Sequence, residues 1–192
     1  MISAIILAAG ESKRMGRPKM LLKWGETTVI NKVINTFRAA GVEEIFVVTG
    51  GAREQVEKAV GGSASMIFNA NYAQGEMLSS VQAGLVGMDP GVEAVLIGLG
   101  DQPQVEVGTV QAVIDAYRRT GAAIVVPSYQ MHRGHPWLVA RTHWNALLEM
   151  QPPGSLRDFL NRKSREIRYV DVGSPSVLLD LDTPEDYLKS HP

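Results

Sequence analysis

Hydrophobic residues follow two alternating patterns along the first 127 residues. Short uninterrupted apolar runs predict buried strands at 2–7, 45–49, 66–69, 94–99 and 123–127. Between them, apolar residues recur at helical spacing and predict helices at 29–37, 53–60, 77–86 and 107–119. Strands that are apolar on both faces are typical of a mostly parallel sheet covered on both sides. The pattern therefore predicts a three-layer α/β fold.

The pattern is less regular after residue 127. The segments 136–139, 167–172 and 177–181 predict three more strands, and the segments 142–149 and 155–162 predict two helices. Thr183, followed by Pro184 and two acidic residues, predicts the start of a last helix. No repeat or linker divides the chain, so we expect a single domain over residues 1–192.

Composition excludes several classes of function. Nineteen basic and twenty acidic residues give a net charge of −1, which argues against a nonspecific nucleic-acid-binding protein. The absence of cysteine excludes disulfides and thiolate metal sites. No apolar run approaches the ~18 residues of a membrane span, and residues 1–4 lack the basic start of a signal peptide. We therefore expect a cytoplasmic protein with no membrane and no nucleic-acid partner.

The segment after the first strand combines small residues with a cluster of positive charge. Gly10 and Gly16 permit turns whose N–H groups point at phosphate. Four cations fall within seven positions, Lys13, Arg14, Arg17 and Lys19. The spacing fits neither the P-loop nor the dinucleotide motif. This combination predicts a polyphosphate-binding loop, and the alternative is a solvated basic turn.

Two acidic side chains are candidate metal ligands. Asp101 follows the predicted strand 94–99, and Asp182 follows the predicted strand 177–181. Mg²⁺ prefers one or two protein carboxylates together with waters and substrate phosphates. We expect both side chains to hold one Mg²⁺, the alternative being that each only stabilises a turn. Asp180 ranks third, because its place in the predicted strand suggests a structural role.

The first loop resembles the signature of the MobA/MocA-like nucleotidyltransferases. The matching positions are Leu7-Ala8-Ala9-Gly10, Ser12, Arg14-Met15-Gly16, Pro18-Lys19 and Leu21-Leu22. The resemblance spans nearly the whole chain and implies a GT-A-like, Rossmann-like nucleotidyltransferase fold with a mostly parallel sheet. It implies that the loop binds a nucleoside triphosphate through Leu7, Ala8, Ala9, Gly10, Ser12, Lys13, Arg14, Gly16 and Lys19. It also implies that Arg14 and Lys19 are catalytic through contacts to phosphate oxygens.

The same resemblance extends to the acidic positions and to the segment before the third helix. Gly100-Asp101-Gln102-Pro103 and the ending at 180–186 resemble the metal-binding positions of the family, which makes Asp101 a catalytic residue. Residues 69–80 resemble the segment that closes over the nucleotide base, in which Gly75 and Ser80 match recurrent positions, and Asn69 is a candidate contact to the ribose. Local capping and turn formation are the alternatives for the serine and the asparagine.

A second basic segment is a candidate for binding the other substrate. Arg133-Gly134-His135-Pro136 resembles the segment by which molybdenum cofactor cytidylyltransferases face the pterin, and Arg157 resembles a further family arginine. A plain surface loop is the alternative, whereas a zinc site lacks a third ligand. The first loop and Gln102-Pro103 resemble the cytidylyl-transferring branch rather than the guanylyl-transferring one.

The resemblance implies a Mg²⁺-dependent molybdenum cofactor cytidylyltransferase. This activity transfers CMP from CTP to the terminal phosphate of molybdopterin and releases pyrophosphate. A molybdoenzyme or its maturation chaperone is the expected protein partner. The alternatives are GTP as donor, another small phosphate ester as acceptor, or a nucleotide-binding cofactor chaperone without turnover. The missing glycine fingerprint disfavours a dinucleotide oxidoreductase.

Overall fold

The computed structural model describes residues 1–74 and 76–192 and confirms the predicted alternation of strands and helices. The strands are β1 Ile2–Ala8, β2 Lys23–Trp24, β3 Thr27–Thr28, β4 Ile45–Thr49, β5 Ser65–Phe68, β6 Ala94–Leu99, β7 Ile124–Tyr129, β8 His132–Arg133, β9 Trp137–Ala140 and β10 Ile167–Asp171. The helices are α1 Val29–Ala39, α2 Arg53–Val60, α3 Glu76–Val86, α4 Val107–Thr120, α5 Trp144–Leu148, α6 Leu156–Arg162 and α7 Pro184–Ser190. Within the described residues, none of these helices has the length and apolar character needed to cross a membrane.

The central sheet has the strand order β10-β7-β9-β6-β1-β4-β5, with β8 paired to the end of β7. The pairs β1–β4, β1–β6, β4–β5 and β7–β10 are parallel. One apolar cluster packs α1, α2 and α4 on one face, and a second packs α3, α5 and α6 on the other. Both faces of the sheet are covered, the central strands β4 and β6 are largely apolar, and the three-layer α/β fold is confirmed.

Four short strands run against the direction of the others or lie outside the main sheet. β9 pairs antiparallel with both β6 and β7, and β8 pairs antiparallel with β7. The hairpin of β2 and β3 forms a separate two-stranded sheet. The strand predicted at 136–139 is thus confirmed as β9, whereas β2, β3 and β8 have two residues each and leave no periodicity to detect.

The prediction of a strand at 177–181 is wrong. A single 3-10 turn covers Pro175–Leu178, and the hydroxyl of Ser174 accepts a hydrogen bond from the N–H of Ser176. Pro175 favours this start because its fixed φ suits a turn and it has no N–H to donate to a ladder. Val177 and Leu181 are nevertheless buried, so the apolar run covers the end of the sheet rather than extending it.

The last helix begins as predicted. The side-chain oxygen of Thr183 accepts a hydrogen bond from the N–H of Asp186 at 3.2 Å, and the Asp186 carboxylate accepts one from the N–H of Thr183 at 2.9 Å. This reciprocal capping fixes where the chain leaves the 180–183 segment.

The carboxyl ends of β1, β4 and β6 meet at one edge of the sheet. The N–H of Gly100 donates to the carbonyl of Leu7 at 2.9 Å, and the N–H of Gly51 donates to the carbonyl of Ala9 at 3.3 Å. A Cβ on Gly100 would lie 2.9 Å from that Leu7 carbonyl, so the close approach of the two loops requires glycine. This edge is where open α/β sheets bind ligands.

Candidate active site

A cleft of about 430 Å³ lies at this edge, between the loops that follow β1 and β6. Its lining residues are Leu7, Ala9, Gly10, Arg14, Lys19, Met20, Tyr72, Glu76, Met77, Ser80, Leu99, Asp101, Asp180 and Asp182. A smaller space of about 270 Å³ adjoins it, lined by Gly10, Glu11, Ser12, Lys13, Arg14, Lys19 and Asp182. The first loop therefore supplies backbone and cations to one wall, and the acidic residues supply the other.

The first loop folds back on itself through two left-handed residues. Ser12 has φ 52° and Gly16 has φ 68°, and a 3-10 turn at Lys13–Met15 lies between them. The hydroxyl of Ser12 accepts a hydrogen bond from the N–H of Lys19 at 3.1 Å. This bond brings the start of the second 3-10 turn, Lys19–Leu21, against the loop and places Lys19 in the cleft.

Lys19, Asp101 and Asp182 form one charged cluster. The Lys19 ammonium contacts Asp101 Oδ2 and also Asp182 Oδ1, the latter at 3.1 Å. Arg14 Nη2 contacts the other Asp182 oxygen, Oδ2, at 2.9 Å. The Lys19 and Asp101 side chains are only 12% and 15% exposed, whereas Arg14 is 70% exposed. The lysine is thus the buried centre of the cluster, and the arginine covers it from solvent.

Burial and neighbouring charges shift the pKa values of Lys19 and Asp180 in the cleft. Burial disfavours the charged form of Lys19, but the carboxylates of Asp101 and Asp182 together outweigh it, so the pKa of Lys19 lies above its usual value. Burial, followed by the charge of Asp101, raises the pKa of Asp180. Asp180 also accepts a hydrogen bond from Gln102 Nε2 at 2.8 Å, and Gln102 is almost fully buried.

The donor set of this cleft fits a hard divalent cation. Among the described residues there is no group of three or more His, Asp or Glu side chains arranged to hold a metal ion. Two carboxylates do converge, Asp101 and Asp182, and they already share one cation, the Lys19 ammonium. Two carboxylate ligands, completed by water and phosphate oxygens, are what Mg²⁺ commonly takes from a protein.

The remaining first-loop residues occupy different positions. Ala9 and Gly10 line the cleft, whereas Ala8 is buried in the core below it. Lys13 is exposed and pairs with Glu11 at 2.8 Å, at the border of the smaller space. Gly16 ends the 3-10 turn, and its N–H donates to the Lys13 carbonyl at 3.3 Å. It therefore shapes the loop from outside the lining.

Asn69 and Ser80 form a local network. Asn69 Nδ2 donates to the hydroxyls of Ser79 and Ser80 at 2.8 and 3.0 Å, and Asn69 Oδ1 accepts from the N–H of Asn71 at 2.9 Å. Asn69 is buried and bonded on both ends of its amide, while Ser80 reaches the cleft lining. Gly75, the third residue of this group, lies outside the described residues.

A second cavity, of about 860 Å³, adjoins the cleft. It is lined by Glu76, Met77, Leu78, Met131, His132, Arg133, His135, Trp137, Ser155, Leu156, Arg157, Leu160, Asn161 and Leu178. All three residues predicted for a second substrate, Arg133, His135 and Arg157, are among them. Arg133 is held by Tyr169, whose hydroxyl accepts from Nε at 2.8 Å, and by Asn161, whose oxygen accepts from Nη1 at 2.9 Å.

His135 forms the aromatic part of this cavity together with Trp137. The two rings stack with centroids 4.4 Å apart and an interplanar angle of 15°. His135 Nε2 is buried and has no hydrogen-bond partner among the described residues. Burial lowers the pKa of His135 to about 4, so the ring is neutral at physiological pH.

Sequence reasoning missed several residues of the site. Glu76 and Met77 line both cavities, Tyr72 lines the first, and Met131 lines the second. Glu76 and Met131 have φ 49° and 68°, which is rare for residues other than glycine. The Tyr72 ring packs against Gly50, where a Cβ would lie 2.7 Å from it. This contact is visible only in the structure, and the sequence carries no signal for Tyr72 or for the two methionines.

Comparison with known proteins gives a family and relatives that align over most of the chain. The family model described as the MobA-like NTP transferase domain matches residues 4–167. The molybdenum cofactor cytidylyltransferase of Escherichia coli K12 is 28% identical, with 97% of this chain and 94% of that protein aligned. The bifunctional protein GlmU of Pelotomaculum thermopropionicum is 35% identical over 64% of this chain, which spans 27% of that protein.

Solved structures match the whole fold. Rv0371c from Mycobacterium tuberculosis H37Rv has a TM-score of 0.85 and 29% identity, covering 98% of this chain and 96% of that one. A complex of Rv0371c with manganese has a TM-score of 0.81 and 28% identity, covering 98% and 96%. A nucleotidyl transferase from Methanothermobacter has a TM-score of 0.84 at 24% identity, covering 100% and 96%, which is a likeness of fold.

Proposed function

Because the chain belongs to the MobA-like NTP transferase family, we propose that it is a cytidylyltransferase that acts on molybdopterin cofactor. In this reaction a terminal phosphate oxygen of the acceptor attacks the α-phosphorus of CTP. The bond between the α-phosphorus and its bridging oxygen breaks, and pyrophosphate leaves. The acceptor oxygen is already anionic, so the protein needs no strong general base. Its contribution is positioning and charge stabilisation.

The first loop is proposed to hold the triphosphate. Gly10 leaves open space where a side chain would otherwise stand, which admits phosphate close to the backbone. Arg14 and Lys19 supply positive charge to the same wall of the cleft, and Lys13 lies at its border. These cations would neutralise the charge that develops on the leaving pyrophosphate.

Asp101 and Asp182 are proposed to hold one Mg²⁺. The two carboxylates would hold the ion in the cleft, where it would supply positive charge to stabilise the phosphates of the nucleotide. A divalent metal is consistent with the manganese complex of the similar M. tuberculosis protein. Gln102 and the backbone hold the two acidic loops together, since the N–H of Leu181 donates to the Asp101 carbonyl at 3.2 Å.

The second cavity is proposed to bind the acceptor. Its arginines, Arg133 and Arg157, suit an anionic substrate, and the stacked pair of His135 and Trp137 suits a planar ring. Glu76 and Met77 border both cavities, so the two substrates would meet beside them. Molybdopterin combines a flat pyrimidine ring with a terminal phosphate, and the E. coli relative is named for the molybdenum cofactor.

The choice of CTP rests on Leu7-Ala8-Ala9-Gly10 and Gln102-Pro103, which resemble the cytidylyl-transferring branch. The proposed setting is the cytoplasm, with a molybdoenzyme or its maturation chaperone as recipient of the product. The observation that carries the whole proposal is the convergence of Lys19, Asp101 and Asp182 in one cleft beside the glycine loop.

A substrate panel tests the proposal. The protein is incubated with Mg²⁺, purified molybdopterin and each of the four nucleoside triphosphates in turn, and released pyrophosphate is measured. We expect pyrophosphate with CTP only, and only when molybdopterin is present. Pyrophosphate release with GTP instead would identify GTP as the donor. Release with another phosphate ester would identify that ester as the acceptor. CTP binding without pyrophosphate release from any pair would replace the enzyme with a carrier protein.

A further inference from the structure

The proposed metal position is occupied by a side-chain cation of the protein itself. The Lys19 ammonium lies between Asp101 Oδ2 and Asp182 Oδ1, and Arg14 takes the remaining Asp182 oxygen at 2.9 Å. Lys19 and Asp101 are largely shielded from solvent, at 12% and 15% exposure. The two carboxylates are therefore neutralised without a metal ion.

A divalent ion and this ammonium compete for the same oxygens. An ion bridging the two carboxylates would lie within a few ångströms of Lys19, where like charges repel strongly because the cluster is poorly solvated. Lysine carries its charge as a compact ammonium on a flexible four-carbon stem, so the head can move while the backbone stays fixed. The backbone N–H of Lys19 is meanwhile held by the hydroxyl of Ser12.

We propose that Lys19 is the resting counter-ion of the metal site and gives up this place when metal and nucleotide enter together. The inference rests on the proposed function, because the triphosphate is the anion that draws the ammonium away. Lys19 would pair with the carboxylates in the free protein and with phosphate in the loaded one. Metal and nucleotide would then each raise the affinity of the protein for the other.

Arg14 provides a matched control. It is also a cation that contacts Asp182, but it reaches only the outer oxygen and is 70% exposed. It does not lie between the two acidic side chains. Removing it takes away one positive charge near the site and leaves the bridging ammonium in place.

The test is a Mn²⁺ titration of the nucleotide-free protein, followed by the EPR signal of the free hydrated ion. We expect Lys19→Gln to bind Mn²⁺ about tenfold more tightly than the wild type, within the usual range of coupling between sites. Arg14→Gln should gain less than about threefold, because the ammonium remains between the carboxylates. Lys19→Arg should keep the low wild-type affinity, because a positive charge stays between the same carboxylates.

A double variant, Lys19→Gln with Asp101→Asn, should lose the gain in Mn²⁺ affinity. That result would show that the tighter binding depends on the Asp101 carboxylate. Thermal unfolding of each variant checks that it is folded. The inference is overturned if Lys19→Gln binds Mn²⁺ no more tightly than the wild type, or if Arg14→Gln gains as much. Either result leaves pyrophosphate release by the wild type untouched, so the proposed function is judged separately.

Discussion

Three residues of the charged cluster were predicted as site residues from the sequence: Lys19, Asp101 and Asp182. The resemblance and the loop chemistry identified all three, although 82 and 163 positions separate the lysine from the two acids. Lys19 and Asp101 converge because β1 and β6 are parallel neighbours whose carboxyl ends lie side by side, whereas Asp182 is positioned by a segment outside the sheet. The direct pairing of Lys19 with both acids was not predictable, because it depends on the fold-back of the loop at Ser12.

Removing the negative charge at Asp101 tests its role directly. Asp101→Asn keeps the size of the side chain but gives a divalent ion a weaker ligand. We expect metal-dependent pyrophosphate release to fall at least about a hundredfold, as for groups that stabilise developing charge. Asp115→Asn, on an exposed face of α4, should keep wild-type turnover. A fully active, Mg²⁺-dependent Asp101→Asn protein would remove Asp101 from the metal site.

His135 predicts a pH dependence of stability. Its pKa is about 4 in the folded protein against 6.5 in the unfolded chain, so the unfolded chain binds the extra proton between these values. Stability therefore falls as the pH drops from 6.5 towards 4, by about 2 to 3 kcal/mol from this residue, and is unaffected by it above that range. Urea unfolding at pH 7 and at pH 4.5 measures the loss.

His135→Gln should lose less stability than the wild type between those two pH values. The matched control is His132→Gln, since His132 is an exposed histidine three residues earlier in the chain. That variant should retain the wild-type loss. If His135→Gln and the wild type lose the same free energy between pH 7 and pH 4.5, the neutral state assigned to this ring is wrong.

The helices and strands predicted best are those in which the buried positions form a regular local pattern of apolar residues. β1 and β6 are apolar throughout because they lie at the centre of a covered sheet, and α4 shows a clear apolar stripe. Residues 177–181 have a similar apolar run but form no strand, because Ser174 and Pro175 begin a turn instead. The direction of β9 was not predictable either, since strand direction is set by pairing partners far along the chain.

The segment that carries Asp182 lies outside the sheet, so its position depends on a few hydrogen bonds. Gln102 Nε2 donates to Asp180 Oδ1 at 2.8 Å and to the Val177 carbonyl at 3.4 Å. We expect Gln102→Leu to lower the free energy of unfolding by about 1 to 3 kcal/mol, because buried acceptors lose their donor. The Mn²⁺ concentration for half-maximal turnover should also rise.

Gln104→Leu is the matched control for this prediction. The Gln104 amide is buried without a hydrogen-bond partner among the described residues, so leucine should be neutral or stabilising there. Chemical unfolding and a Mn²⁺ dependence are measured for both variants. An equal shift in the two variants, or an unchanged metal requirement in Gln102→Leu, would contradict a positioning role for Gln102.

The hairpin between β7 and β8 contains a strained turn at the rim of the second cavity. Gln130 and Met131 have φ 47° and 68°, in a two-residue loop of the kind that favours an asparagine followed by a glycine. The double variant Gln130→Asn with Met131→Gly supplies that pair, whose residues adopt positive φ at lower cost. We expect it to be about 1 to 2 kcal/mol more stable to unfolding than the wild type.

The same double variant also tests whether Met131 contributes to acceptor binding in addition to straining the turn. Met131 is 95% exposed and lines the cavity proposed for the acceptor. If the methionine contacts the acceptor, the KM for molybdopterin should rise while the KM for CTP stays constant. Gln130→Asn alone is the control that keeps the methionine. Lower stability in the double variant would contradict the strain assigned to this turn.

Over the molecule as a whole, a cleft lined by two cations and four carboxylates lies beside a basic cavity, on a protein with a net charge of −1. Arg14 and Lys19 face the first, Arg133 and Arg157 face the second, and Glu76 and Met77 border both. The positive charge of the second cavity raises the concentration of an anionic substrate there, whereas the carboxylates of the first cleft suit an anion that arrives with a divalent cation. The arrangement is suited to joining two phosphorylated molecules.

Nucleotidyl transfer at this cleft moves the α-phosphorus of CTP to the acceptor. A labelled CTP shows whether this transfer occurs. The protein is incubated with Mg²⁺, molybdopterin and CTP that carries its label either at the α- or at the γ-phosphorus. We expect the α-label in the molybdopterin product and the γ-label in pyrophosphate, and we expect Asp101→Asn to lose both. Transfer of the γ-label to molybdopterin, or no transfer of the α-label from any nucleotide to any phosphate ester, would contradict it.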